Sequence, residues 1–415
     1  MARSPLTLAA AVTSALPRTE VVRVAELTEG MSGRYDSAIA TLGDGRQVVV
    51  RVAVDAEAAD DLAGDARALA ALSAGVRGVL PFAAPDVLGR ATLKRSPALV
   101  QSFLPGYRVD AGHVPAGPGV ATALADALAA VHALPTSVVR DAGLPVRTAA
   151  QVRDEAERLL DRAEATERLP FGLLRRWSTA IGTEALWRFE TTVTLGGADP
   201  SSFLLSDDVH GIPRVSGLLS WSGLGVGDPA QDLRWLASAP AARDDVLAAY
   251  SARAHRATDT MLAERARLHA ELEFAAWLVH GHDAGTASVV DDAVALLESL
   301  ADSVRDEPPL GRETVSVSDA MAVLGRVSTG TDAVDTSMQT DTYDPERLGL
   351  FSTEEIEALN QTRTGVAAPG EATEPLEFSL WSGKDAEPAS AADLDAEPDI
   401  DSAARNAMRR WTGTD

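Results

Sequence analysis

Apolar and polar positions alternate most clearly in the first hundred residues. Residues 36–42 and 47–53 are rich in β-branched side chains, and Gly43-Asp44-Gly45 separates them, which predicts a hairpin of two strands. Residues 98–103 read as a further apolar strand. Residues 58–73 are rich in Ala and Leu and predict a helix. Residues 120–134 predict another, with Leu124, Leu128 and Val131 on one face. Helices are also predicted over 152–166 and 242–272, with short strands at 202–205 and 214–221 between them. The apolar stretch 6–16 is too short to span a bilayer and predicts an amphipathic helix docked on the domain. Only Arg3 precedes it, which does not make the basic start of a signal peptide. There is no internal repeat. Strands early and helices late predict an α+β chain: a small β-rich lobe followed by a larger helical one.

Composition changes near residue 305. Residues 306–415 hold 23 Asp and Glu against 8 Lys and Arg, a net of −15, leaving −9 of the total −24 for residues 1–305. Few large apolar groups accompany that charge, so an acidic, mostly disordered tail is expected. Residues 316–327 and 354–360 have helical spacing within it, and Arg409-Arg410-Trp411 forms a basic-aromatic patch near the end. These are candidate docking motifs for a protein partner. The acidity speaks against nucleic-acid and anionic-membrane partners, because phosphate would be repelled. The chain has no cysteine, which excludes disulfides, thiolate metal sites and thiol nucleophiles. No run approaches 18 apolar residues, so a soluble, cytoplasmic protein is expected.

Several segments occur in the order of a known small-molecule kinase family. Leu27-Thr-Glu-Gly30-Met-Ser-Gly33 precedes the hairpin that ends Val48-Val-Val-Arg51-Val52. Gly64-Asp65-Ala-Arg-Ala-Leu follows, then Gln101-Ser-Phe103-Leu-Pro-Gly106, Leu124-Ala-Asp-Ala-Leu-Ala-Ala-Val-His132-Ala-Leu-Pro135 and Gly227-Asp228-Pro-Ala-Gln-Asp232-Leu233. Over about residues 5–300 the chain resembles the aminoglycoside/macrolide phosphotransferase family. That resemblance implies a two-lobed protein-kinase-like fold: an N-lobe over 1–104, a helical C-lobe over 105–305 and the tail 306–415. It implies a nucleotide loop at Gly30 and Gly33, a phosphate-contacting cation at Arg51, a helix acid at Asp65 and a hinge at Gln101 and Phe103. It also implies ATP or GTP with Mg as cofactor, and a small-molecule acceptor.

The chemical centre departs from the family pattern. The family's catalytic loop reads His-Gly-Asp-x-x-Pro-x-Asn, and the corresponding stretch here is Leu195-Gly-Gly197-Ala-Asp199-Pro200-Ser-Ser202. Alignment on Pro200 puts Gly197 at the proton-accepting Asp and Ser202 at the metal-binding Asn. The family's later Ile-Asp-Trp corresponds to Leu219-Ser220-Trp221, so a hydroxyl replaces the second metal ligand. Glycine accepts no proton, and serine is a poor ligand for a hard dication. A degenerate, non-transferring member is therefore expected, acting as a ligand-binding or scaffold protein. The alternative is an active ATP- or GTP-dependent kinase of an antibiotic or metabolite hydroxyl, in which Asp199 acts as base and Asp228 as metal ligand. Against that alternative stands a structural use of the same residues, with Asp199 capping its loop and Asp228 and Asp232 binding backbone amides. Gly223-Leu-Gly-Val-Gly227 lacks the spacing of a dinucleotide loop, and His280-Gly-His282-Asp283 has a spacing that does not share one helix face.

Overall fold

The computed structural model describes residues 3–27, 33–254 and 259–311. The predicted loop residue Gly30, the tail helices at 316–327 and 354–360 and the Arg409-Arg410-Trp411 patch lie outside the described residues.

The first part of the chain is helix α1 (Pro5–Ala15), then a mixed run of β1 (Val21–Glu26), β2 (Tyr35–Leu42), β3 (Gln47–Ala53), α2 (Ala56–Ala71), α3 (Ala74–Val79), β4 (Val87–Leu93) and β5 (Ser96–Ser102). The strands form one antiparallel sheet in the order β1-β2-β3-β5-β4. Period-two alternation gives it two unlike faces. Val48, Val50, Val52, Ala98 and Val100 point to one side, where Leu8, Ala11 and Val12 of α1 cover them. Helix α1 starts cleanly because Ser4 caps it and Pro5 occupies its first turn. The opposite face carries Leu99, packed on Leu62 and Ala66 of α2. The pairing of β3 with β5 sets Arg51 opposite Leu99 and Val49 opposite Gln101, so Arg51 and Gln101 share the α2 side.

The second part is mainly helical: α4 (Val120–His132), α5 (Ser137–Asp141), α6 (Ala149–Ala165), α7 (Phe171–Gly182), α8 (Arg243–Arg253), α9 (Leu262–Asp283) and α10 (Ala287–Ser303). Two small antiparallel pairs interrupt the helices. One joins β6 (Thr192–Thr194) to β9 (Gly225–Gly227), the other β7 (Phe203–Asp207) to β8 (Pro213–Leu218). One core packs α4 and its Leu124, Leu128 and Val131 around Trp221 and Leu233. A second packs α6, α7, α9 and α10 around Trp177. No helix among the described residues is long and apolar enough to cross a membrane.

The predicted hairpin, the helices at 58–73, 120–134 and 152–166 and the N-terminal helix are all present within a few residues. The single helix expected over 242–272 is two helices, because α8 ends at Arg253 and the extended Ala254 follows. Strands β1 and β4 and helices α7 and α10 were not predicted.

Candidate functional site

Ser202 immediately precedes β7 and Ser220 follows β8 after one residue. The register Phe203↔Leu218 therefore brings the two serines together, and the Leu219 N–H donates to Ser202 O at 2.9 Å. The next residue ties this hairpin to α2: the Trp221 N–H donates to Asp65 Oδ1 at 2.8 Å. Gln101 Nε2 donates to Asp65 Oδ2 at 2.9 Å, and Arg51 Nη1 lies 4.0 Å from the same oxygen. Asp65 is buried, and burial pushes its carboxyl above the ordinary range against the opposing pull of Arg51 and these hydrogen bonds. The residue expected at the helix acid thus joins the sheet, α2 and the end of β8. Gln101, expected at the hinge, is a buried side chain serving Asp65.

A cavity of roughly 110 Å³ opens where these elements meet. Arg51, Asp65, Ser202 and Ser220 all line it, so four of the predicted site residues converge. Arg34, Asp61 and Arg108 also line it and were not anticipated. Arg34 pairs with Asp61 at 2.6 Å, and burial raises the Asp61 carboxyl. Arg108 has no hydrogen-bond or ion-pair partner among the described residues. Arg51 sits 5.9 Å from the Tyr35 ring centre, and burial, with help from Asp61, pushes that phenol up to about 12. Phe103 lies apart from this group. Its N–H donates to Gln47 O at 3.3 Å, and it lines a separate shallow depression with Arg46 and Asp86.

The loop 195–198 is held from beneath by Asp232. Its carboxylate accepts the N–H groups of Leu195 at 2.7 Å, Gly197 at 2.6 Å and Ala198 at 3.2 Å. His132 Nε2 lies 3.0 Å from the same carboxylate and Nδ1 lies 2.7 Å from the Tyr250 hydroxyl. Gly197 has φ +106°, a backbone conformation that favours glycine. A Cβ built there would fall 2.5 Å from the guanidinium carbon of Arg234, which itself pairs with Glu273. A cation therefore fills the space beside Gly197 that a side chain there would need. Nearby, a Cβ on Gly223 would meet Leu195 O at 2.0 Å, so Gly223 serves close backbone packing between two loops, not a nucleotide.

The two candidate substitutes are engaged elsewhere. Asp199 caps the turn at Pro200, its Oδ1 accepting the Ser201 N–H at 2.7 Å. Asp228 is fully buried and does not line the cavity. Its oxygens accept from Ala230 N–H at 2.9 Å and from Arg265 at 3.0 and 3.1 Å, and lie 2.9 Å from His269 Nε2. Burial alone would raise this carboxyl, yet the His269 hydrogen bond and the Arg265 charge hold it at about 2. Arg265 also meets Asp259 at 2.6 Å and stacks 4.2 Å over Phe189. Asp228 thus belongs to an internal ion-pair cluster.

The residues present do not fit a divalent metal. Hard dications take anionic oxygens, and Ser202 and Ser220 offer neutral hydroxyls. The cavity's carboxylates, Asp61 and Asp65, already face Arg34 and the Asp65 donors described above. No group of three or more His, Asp or Glu placed to hold a metal occurs among the described residues.

Sequence reasoning missed Arg234, Glu273, Arg265 and Arg108, because lone charged side chains carry no local motif. The Gly227–Leu233 signature was the one signal pointing to the Asp232 clamp.

Solved structures similar to this fold include macrolide and aminoglycoside phosphotransferases. The macrolide 2'-phosphotransferase MphH from Brachybacterium faecium is 26% identical, with a TM-score of 0.57 covering 74% of this chain and 98% of that one. A macrolide 2'-phosphotransferase type I is 24% identical, with a TM-score of 0.56 over 72% of this chain and 98% of that one. The GDP complex of aminoglycoside 2'-phosphotransferase-IIIa is 17% identical, with a TM-score of 0.60 over 72% and 99%. At such identities the last two speak to the fold alone. No curated protein matches the sequence. Residues 27–270 match the APH phosphotransferase enzyme family over more than half of the chain, and with the two-lobed fold around the Asp65 and Asp232 frames this protein belongs to that family.

Proposed function

We propose that this chain is a non-transferring member of the phosphotransferase family that works by binding. One observation carries the reading. Where the resemblance places the proton-accepting carboxylate, Gly197 leaves a gap against which the Arg234 guanidinium packs. A guanidinium stays protonated in proteins and accepts nothing from a substrate hydroxyl. Loss of acid–base help costs about 100- to 10,000-fold in rate. Neutral serines at both metal positions remove the charge neutralisation on which phosphoryl transfer chiefly depends. The other nearby carboxylates hold the frame: Asp199 caps a turn, Asp228 pairs with Arg265 and Asp232 binds amides.

The test is direct. The full chain is incubated with Mg²⁺, radiolabelled ATP or GTP, and a panel of macrolides and aminoglycosides, the acceptors named for its solved neighbours. Transfer is expected to stay at background. Turnover in the range of about 1–100 s⁻¹ typical of kinases would refute the reading.

A further inference from the structure

Beyond α10 the chain forms a short strap over a charged part of the C-lobe. Helix α10 stops at Ser303, and residues 304–311 lie against α7 and α9 without forming a helix or strand. Val304 and Leu310 are buried at the two ends of the strap, and residues 305–309 between them are exposed. The buried Glu271 carboxylate accepts from Arg176 Nε and Nη2 at 3.0 Å each, from Arg267 Nε at 3.1 Å and from Trp177 Nε1 at 2.8 Å. Two guanidiniums thus share one carboxylate, which leaves these three residues with one surplus positive charge. The strap supplies the missing negative one. Glu307 pairs with Arg267 and lies 3.5 Å from Arg176 Nη2. Arg176 Nη1 also donates to Pro308 O at 3.1 Å, and the Gly311 N–H donates to Glu264 Oε2 at 3.3 Å.

We propose that residues 304–311 are a releasable latch with Glu307 as its catch, which opens as a unit while α7 and α9 stay folded and bares the Arg176–Arg267 pair beneath it. The inference stands apart from the non-transferring reading, since it uses no residue of the cavity. The hold is sparse. Beyond Val304, among the described residues, it rests on Leu310, the Glu307 carboxylate and the hydrogen bonds at Pro308 and Gly311. Segments with few buried contacts open locally, well before the whole domain unfolds. Pro308 and Pro309 restrict the freed strap, so less entropy is gained on release and reseating stays favourable. The catch also differs in exposure from the pair it covers. The Arg176 and Glu271 side chains are 7% and 5% exposed, whereas those of Arg267 and Glu307 are 35% and 36% exposed. Salt screens exposed charges far more than buried ones. Rising ionic strength therefore loosens Glu307 and leaves the Arg176–Glu271 pair in place.

Amide hydrogen exchange of the full chain, read by mass spectrometry, tests the latch. Glu307→Gln is expected to speed exchange across residues 304–311 by about tenfold, the effect of losing one charge-assisted hydrogen bond, while α7 and α9 exchange as before. Raising NaCl from about 0.1 M to about 1 M shortens the Debye length from about 10 Å to about 3 Å. That change is expected to speed exchange of the wild-type strap by about threefold or more, and that of Glu307→Gln far less. The proposal is overturned if the strap of Glu307→Gln exchanges as the wild type does. It is equally overturned if α7 and α9 accelerate by the same factor as the strap, or if salt acts alike on the strap in both proteins. Antibiotic phosphorylation enters none of these readouts, so the latch and the earlier reading fail separately.

Discussion

Replacing Asp228 by Asn separates a structural carboxylate from a chemical one. In the wild type this carboxylate is fully buried and satisfies Arg265 through two hydrogen bonds, with His269 Nε2 beside it. Breaking a buried pair from one side costs about 3–5 kcal/mol, because the remaining charge stays desolvated. Asp259 still meets Arg265 at 2.6 Å, which places Asp228→Asn near the lower end, about 3 kcal/mol. The titration of Asp228 gives a second figure. Its fall from 3.8 to about 2 corresponds to roughly 2 kcal/mol at ~1.36 kcal/mol per pH unit. The folded value lies below the unfolded one. The contribution is therefore fully present above the unfolded value near 3.8 and disappears as pH falls toward about 2. Urea melts of both proteins at pH 7 are expected to differ by about 3 kcal/mol. The gap is expected to narrow below pH 5, down to the lowest pH at which both stay folded. A loss under about 1 kcal/mol at pH 7, the scale of an exposed pair, would refute this account. So would a gap that does not change with pH.

Three further perturbations read other parts of the site. Asp232→Ala leaves the amides of Leu195, Gly197 and Ala198 without their acceptor, so their hydrogen exchange is expected to accelerate by at least tenfold, and unchanged protection would remove the clamp. Gly197→Asp forces a side chain onto φ +106° against Arg234, with an expected loss of about 1–3 kcal/mol by thermal melting; adding Arg234→Ala is expected to recover only the steric part. Asp65→Ala orphans the Gln101 amide and the Trp221 N–H and is expected to cost about 2–4 kcal/mol in urea melts, whereas Asp65→Asn keeps an acceptor and is expected to cost clearly less.

What the sequence displayed depended on how far each feature reaches. The run at 47–53 showed the strand, because its pattern is local, whereas the side on which Arg51 lies follows from the pairing of β3 with β5. Pro200 is the anchor by which the resemblance assigns positions to Gly197 and Ser202, and the β7–β8 pairing sets Ser202 beside Ser220. Three-residue strands such as β6 and β9 are too short to display a period. Strand β4 holds Gly89, where Ala15 O would lie 2.5 Å from a Cβ; that close approach dilutes the strand pattern for a tertiary reason. Helix α7 went unseen although Leu173 and Trp177 are buried at helical spacing. The contact between Gly197 and Arg234 spans 37 positions and no local pattern announces it.

The Asp232 clamp grips the loop by its main chain. Its hydrogen bonds to residues 195–198 go to three main-chain N–H groups. Such a grip is indifferent to what those residues carry. Side chains on the loop can be exchanged without altering its path, provided the glycine geometry is kept. The path of the loop is thereby uncoupled from the chemistry its side chains carry, and the mould stays rigid whichever residues occupy it.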